Sequence, residues 1–265
     1  MSAQTIVPES DPLLLWRQDG GVLHLTLNRP LQYNALSEQM LAALRQALAR
    51  ISADHSVRVL ILGAAGKAFC AGHDLRQIRE NTRLEYYQAL FGECAALMMQ
   101  IRTLPQPVIA RVHGLATAGG CQLVASCDLA VASDTARFAT SGINIGLFCA
   151  TPAVPLARNM GQKQAFEMLV TGDFIDAHTA CARGLVNRVV PADQLDAELD
   201  RLAASILAKP AYILAAGKQL FYRQQDMGID AAYQLAVQTM ACNVLEADAQ
   251  EGIDAFLAKR KPNWA

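Results

Sequence analysis

The feature that most constrains this chain is a pattern that occurs twice: a short apolar run empties into a glycine-bearing loop and then into a helical stretch. Val57, Val59, Leu60, Ile61 and Leu62 lead into GAAGKAFCAGHDL, and PVIARVHG (107–114) leads into LATAGGCQL. A strand without polar alternation is one buried on both faces, the condition of a parallel strand covered by helices. Two strand signals come earlier, LLLW (13–16) and VLHLTLN (22–28), the second alternating Leu23, Leu25 and Leu27 with Val22, His24 and Thr26. Ser37 is placed to cap a helix with Leu41, Leu44, Leu48 and Ile51 on one face. A second helix carries Leu90, Cys94, Leu97 and Ile101 on one stripe. This order predicts a largely parallel α/β architecture of repeated ββα units.

Beyond about residue 152 the strand signals thin out, apart from LVNRVV at 185–190, and helices follow in series over 193–208, 210–225, 229–241 and 244–258. The chain therefore divides into an α/β core over 1–192 and a helical region over 193–265 that packs on the core or on a neighbouring subunit. The stretch from Ile229 to Ala241 is apolar and poor in charge, which fits an interface.

Composition narrows the function classes. With 52% hydrophobic and 18% charged residues among 265, the chain has enough apolar material for one large core and is not a disordered segment. A formal net charge of -1 offers no basic footprint for nucleic acid or an anionic membrane surface. The cysteines at 70, 94, 121, 127, 149, 181 and 242 form no zinc-type spacing and sit mostly in apolar company, so no metal is expected. The N-terminal MSAQTIVPESDP reads as neither a secretory signal nor a transit peptide, and no run approaches a membrane span. The expected location is cytoplasmic.

KAFCAGHDL (67–75) and HGLATAGGCQL (113–123) carry the chemistry. Each follows an apolar strand, turns at glycine and leads toward a helix. Glycine lets backbone N–H groups approach a ligand, and a helix start adds partial positive charge. Two such N–H groups meeting at one point make an oxyanion hole. No GxGxxG or GxxxxGK[ST] fingerprint is present, which disfavours a nucleotide site, and no GxSxG elbow marks a serine hydrolase.

In order along the chain, NRP..YNAL (28–36), VRVLILGAAGKAFCAGHDL (57–75), PVIARVHGLATAGGCQLVASCDLAVASDTARFAT (107–140), LVTGDFIDAHTACARGLVNRVVP (169–191) and FLAKRKPNWA (256–265) resemble the crotonase superfamily, the enoyl-CoA hydratase/isomerase fold. The resemblance implies a crotonase (ClpP-like) fold with a C-terminal helical oligomerisation region, and assembly into a homotrimer or a hexamer that is a dimer of trimers. It implies that the backbone N–H groups of His73 and Gly119 bind the thioester carbonyl of an acyl-CoA and stabilise an enolate. Ala35, Lys67, Ala68, Ala71, Gly72, Asp74 and Leu75 would border the coenzyme A crevice, with Arg29, Lys67, Lys259 and Lys261 near its phosphates. Many relatives carry a basic residue where this chain has Leu31. Coenzyme A enters as part of the substrate, and no separate cofactor is implied.

Hydratases of the family use two glutamates, and this chain carries Gln122 and Gly142 at those positions. Neither side chain cycles a proton, so ordinary hydration is not expected to be efficient. Asp74, Glu93 and the His73 ring are the candidate replacements; Asp74 also fits a helix cap and Glu93 a solvated helix face. Cys149 and Thr151 are expected near the acyl chain, Cys149 as an apolar lining or a nucleophile. Gln122, Ser141, Asn144 and Thr151 are expected to form a polar, uncharged pocket. The reading is an enoyl-CoA hydratase/isomerase-type lyase or isomerase, with decarboxylase or thioesterase chemistry as alternatives; a non-catalytic acyl-CoA-binding protein competes with it.

Overall fold

The computed structural model describes residues 12–264, so residues 1–11, on which the reading of the N-terminus rests, lie outside the described part. The chain opens with a hairpin of β1 (Leu14–Asp19) and β2 (Val22–Leu27), turned at Gly20 with φ +53°. The first helix α1 (Glu38–Ser52) starts where Ser37 accepts a hydrogen bond from the Met40 N–H at 3.2 Å. Then come β3 (Val59–Ala64), β4 (Ala68–Cys70), α2 (Leu75–Glu80), α3 (Leu84–Thr103), β5 (Val108–Val112), β6 (Leu115–Thr117) and α4 (Gly119–Ser126). The strands β7 (Leu129–Ser133) and β8 (Arg137–Ala139) precede α5 (Ala150–Asn159), α6 (Gln162–Thr171), β9 (Ile175–Asp176), α7 (Ala177–Ala182) and β10 (Arg188–Val190). Four helices close the chain: α8 (Leu195–Leu207), α9 (Ala211–Gln224), α10 (Ile229–Val244) and α11 (Ala247–Leu257).

The strands form two sheets. The larger has the order β1-β2-β3-β5-β7-β10 and is parallel after the opening hairpin; the smaller has the order β4-β6-β8-β9. The apolar runs are two-faced as their patterning requires. Leu60 and Leu62 of β3 join the main core while Val59 and Ile61 face a second cluster, and β5 divides the same way, with Ile109 on the second face. That second face is covered by Leu195, Leu199 and Ala203 of α8. Burying apolar surface on both sides, at roughly 25 cal/mol per Å² removed from water, is what makes such strands unambiguous in sequence.

The helices α5 and α6 have no counterpart among the elements expected from the sequence. Pro152 and Pro155 fall inside α5 and mask its periodicity, yet Pro152 lies in the first turn, where its missing N–H leaves no intrahelical bond unmade. The small sheet also escaped the reading, because its strands are two or three residues long.

Candidate functional site

The small sheet builds the site. Its strands β4, β6 and β8 run parallel, with Cys70 beside Ala116 and Thr117 beside Ala139. Their carboxyl ends therefore deliver three segments to one edge: residues 71–74, residues 118–122 and residues 141–149. In parallel sheets this is the edge where ligands bind.

Close packing of glycines brings the first two segments into register. A Cβ on Gly72, whose φ is +92°, would stand 2.9 Å from the Ala118 Cβ and 3.0 Å from the Gly119 nitrogen. One on Gly120 would lie 2.0 Å from the Cys70 carbonyl oxygen. Ala118 takes φ +49° and ψ -120° immediately before α4, a strained conformation worth about 1–3 kcal/mol, held by its N–H donating to the Ala139 carbonyl at 3.0 Å. On the other side the Leu36 N–H donates to the Gly72 carbonyl at 2.7 Å, fixing the turn that carries His73. Among the hydrogen bonds of the described residues, neither the His73 nor the Gly119 backbone N–H has a protein acceptor. Asn34, missed by sequence reading, ties the preceding loop down: it donates to the Ala65 and Ala68 carbonyls at 2.8 and 2.9 Å and accepts from the Arg29 N–H at 2.8 Å.

Both turns open on a cavity of about 310 Å³ lined by Ala71, His73, Leu75, Gly119, Ser141, Gly142, Cys149 and Thr151, with Ile78, Phe91, Leu147 and Phe148 as its apolar wall. No carboxylate is among the residues lining it. Gln122 is buried at 2% exposure behind Thr151, whose hydroxyl donates to Gln122 Oε1 at 3.1 Å. Gly142 is at the wall, where a Cβ would meet the Leu147 carbonyl oxygen at 2.6 Å and Cys149 Sγ at 2.8 Å. The 147–149 loop thus occupies the space a longer side chain would need. Burial pushes the Cys149 thiol up, which supports the lining role over the nucleophile.

Three of the candidate residues lie outside the cavity wall. Glu93 points outward and pairs with Arg45, since it lies on the exposed face of α3. Asp74 accepts from the Arg76 N–H at 2.9 Å and caps α2, the structural alternative weighed for it. Asn144 is exposed near the end of a short 3-10 turn, where its amide donates to the Gly172 carbonyl at 3.4 Å, so of the expected uncharged polar set Ser141 and Thr151 line the cavity with Gln122 behind. Ser141 shares a 2.7 Å hydrogen bond with Thr117.

The residues expected at the coenzyme A crevice separate into two groups around the same turn. Ala71 and Leu75 line the main cavity, while Ala35 and Asp74 border a smaller one of about 210 Å³ with Arg29, Ser37 and Gln77. Gly72 lies between the loops, Ala68 is buried in β4 and Lys67 is exposed at its start. The pocket residues that the sequence reading missed, Ile78, Phe91, Leu147 and Phe148, carry no sequence signal beyond being apolar on a helix or loop.

The family model described as "Enoyl-CoA hydratase/isomerase" matches residues 17–265. A relative from Rattus norvegicus named enoyl-CoA hydratase domain-containing protein 3, mitochondrial, is 45% identical over 100% of this chain and 88% of its own length. The crystal structure of an enoyl-CoA hydratase from Mycobacterium smegmatis is 57% identical with a TM-score of 0.95, covering 96% of this chain and 99% of that one. The human enoyl-CoA hydratase domain-containing protein 3 structure is 44% identical with a TM-score of 0.92, over 96% of this chain and 100% of that one. The expected cytoplasmic location is corrected by these relatives: five vertebrate proteins 43–46% identical to the chain are named as mitochondrial. A polar N-terminal stretch was too little to assign a compartment.

Proposed function

The chain belongs to the enoyl-CoA hydratase/isomerase family, and from that premise we propose that it holds an acyl-CoA thioester with the carbonyl oxygen between the backbone N–H groups of His73 and Gly119. The observation that carries the proposal is the packing of Gly72 against Ala118 and Gly119, which sets two unpartnered N–H groups side by side at the mouth of an apolar cavity. Such donors stabilise the charge that builds on the oxygen as an enolate forms, an effect worth about 10²–10³ in rate per donor. The acyl chain lies against Ile78, Phe91, Leu147 and Phe148, and coenzyme A leaves past Ala71, Gly72 and Leu75 toward Ala35 and Asp74.

Water addition is not the main reaction under this proposal. Hydration needs a base to orient and deprotonate water and an acid to deliver a proton, each worth about 10²–10⁴ in rate. The cavity offers hydroxyls, a thiol and an imidazole in place of carboxylates. That same observation supports the second reading, a protein that binds acyl-CoA without turning it over. The proposed assembly is a homotrimer, free or paired into a hexamer.

Calorimetric titration with butyryl-CoA and with S-butyl-CoA, the thioether that lacks only the carbonyl oxygen, tests the binding mode. The thioester is expected to bind at least about tenfold more tightly, the equivalent of ~1.4 kcal/mol of hydrogen bonding. Equal affinity for the two would overturn the proposed oxyanion hole.

A further inference from the structure

The third segment delivered to the site carries an unusual run, Ile143 to Phe148, in which four of six side chains are large and apolar. Three of these stand in water in the single chain: Ile145 is 63% exposed, Leu147 43% and Phe148 44%. Fraying does not explain them, because the backbone is hydrogen-bonded throughout the turn. The Gly146 N–H donates to the Ile143 carbonyl and the Leu147 N–H to the Gly142 carbonyl, both at 3.0 Å, and the Ala150 N–H to the Phe148 carbonyl at 2.8 Å. Gly146 supplies the φ of +79° on which the chain reverses. Large apolar side chains clustered on a fixed turn mark a surface that something apolar covers.

The same three side chains line the cavity. They therefore form its rim, while Gly142, Cys149 and Pro152 beyond them are buried. None of the residues lining the cavity is Asp, Glu, Lys or Arg. The direction of an acyl chain follows from the thioester itself, in which sulfur and Cα leave the carbonyl carbon on opposite sides. With the oxygen at the His73 and Gly119 N–H groups and sulfur directed past Ala71 and Leu75, Cα is directed toward residues 141–149.

Resting on the proposed thioester binding, we infer that the site takes acyl groups with long, uncharged hydrocarbon chains: the first carbons fill the cavity, and the remainder lies across the rim of Ile145, Leu147 and Phe148. The occupant of the exposed turn is thus the far end of the substrate. A short acyl group reaches none of this surface, so the rim does not serve it. A chain tipped with a carboxylate is rejected, since its charge would lose water to three apolar side chains and meet no cation. Ile145, the most exposed of the three, is a specificity-determining residue that acts on the distal chain and not on the carbonyl.

The test is calorimetric titration of the intact protein with butyryl-, octanoyl-, lauroyl- and glutaryl-CoA, each below its micelle-forming concentration, with light scattering on the same samples. A fully buried methylene is worth about fourfold in affinity, so lauroyl-CoA is expected to bind at least about 100-fold more tightly than butyryl-CoA even with each added methylene partly covered. Octanoyl-CoA is expected to fall between them, and glutaryl-CoA to bind more weakly than butyryl-CoA. Ile145→Asp is expected to weaken lauroyl-CoA about tenfold while butyryl-CoA stays within about threefold of wild type, and Ile145→Leu to keep the wild-type preference. The inference is overturned if lauroyl-CoA binds no more tightly than butyryl-CoA, or if Ile145→Asp leaves lauroyl-CoA affinity unchanged. A change of light-scattering mass in Ile145→Asp with the chain-length preference intact also overturns it, because a second copy of the chain then covers the rim. Absence of binding by every one of these thioesters overturns the proposed function along with it.

Discussion

At the scale of single residues, the site is defined as much by what two positions refuse as by what they hold. Gln122 is sealed behind Thr151, so a glutamate there would be a carboxylate in an apolar wall with a hydroxyl and the Cys94 thiol for company. Gln122→Glu is expected to cost about 1–3 kcal/mol at pH 7, measured by urea denaturation, and to leave crotonyl-CoA hydration within about tenfold of wild type. Adding Gly142→Glu does not rescue it, because the new side chain must displace the Leu147 backbone and Cys149. Gly120→Ala sets a methyl group against the Cys70 carbonyl, which is backbone and cannot rotate away. A loss of about 3 kcal/mol or more in stability is expected, together with loss of thioester binding. The two glycines of GGCQL and the glycine of CAGHDL were legible in sequence because their spacing implied close backbone approach. The direction of Glu93 and the capping role of Asp74 were not settled there, since both depend on which neighbour, Arg45 or the Arg76 N–H, comes within reach in the fold.

At the scale of elements, the strands and helices that are buried on a regular face declared themselves. The capped helix α1, the two-faced strands β3 and β5 and the terminal helices all fall close to the expected spans. What stayed hidden were the elements held by tertiary contact, namely the three-residue strands β4, β6 and β8 and the proline-bearing α5. These are the elements that carry the site, so the motif could be read before its scaffold. A second hidden tie anchors α9: Lys218 Nζ reaches Asp128 at 2.6 Å and the Ile101 and Gln106 carbonyls at 2.9 and 3.0 Å, while the Tyr222 hydroxyl donates to the same aspartate at 2.8 Å. Lys218→Met would strand the aspartate carboxylate in a site where its side chain is 12% exposed. A destabilisation of about 3–5 kcal/mol is expected in urea denaturation, against near-neutral behaviour for a lysine in a solvated pair.

At the scale of the whole molecule, pH and assembly are the levers. His24, His73 and His113 are all held below their ordinary 6.5, burial being the leading cause in each. Below that value the unfolded chain takes up protons that the folded chain does not, so stability is full above it and is lost as pH falls. The urea midpoint is expected to decline between pH 7 and 5.5, with a shallower decline in His73→Gln; a flat profile would contradict the burial of these rings. The outer face of α10 presents Ile229, Tyr233, Val237 and Met240, each between 67% and 71% exposed in the single chain. An apolar stripe of this kind asks for a partner, and Val237→Glu is expected to shift the light-scattering mass of the proposed trimer toward the monomer. The central claim, that two loops polarise a thioester carbonyl, is tested most directly by the ¹³C resonance of [1-¹³C]butyryl-CoA bound to the intact protein. The account predicts a downfield shift of the carbonyl carbon on binding, as its oxygen accepts the two backbone hydrogen bonds. A bound thioester whose carbonyl resonance is unchanged from free solution would contradict it.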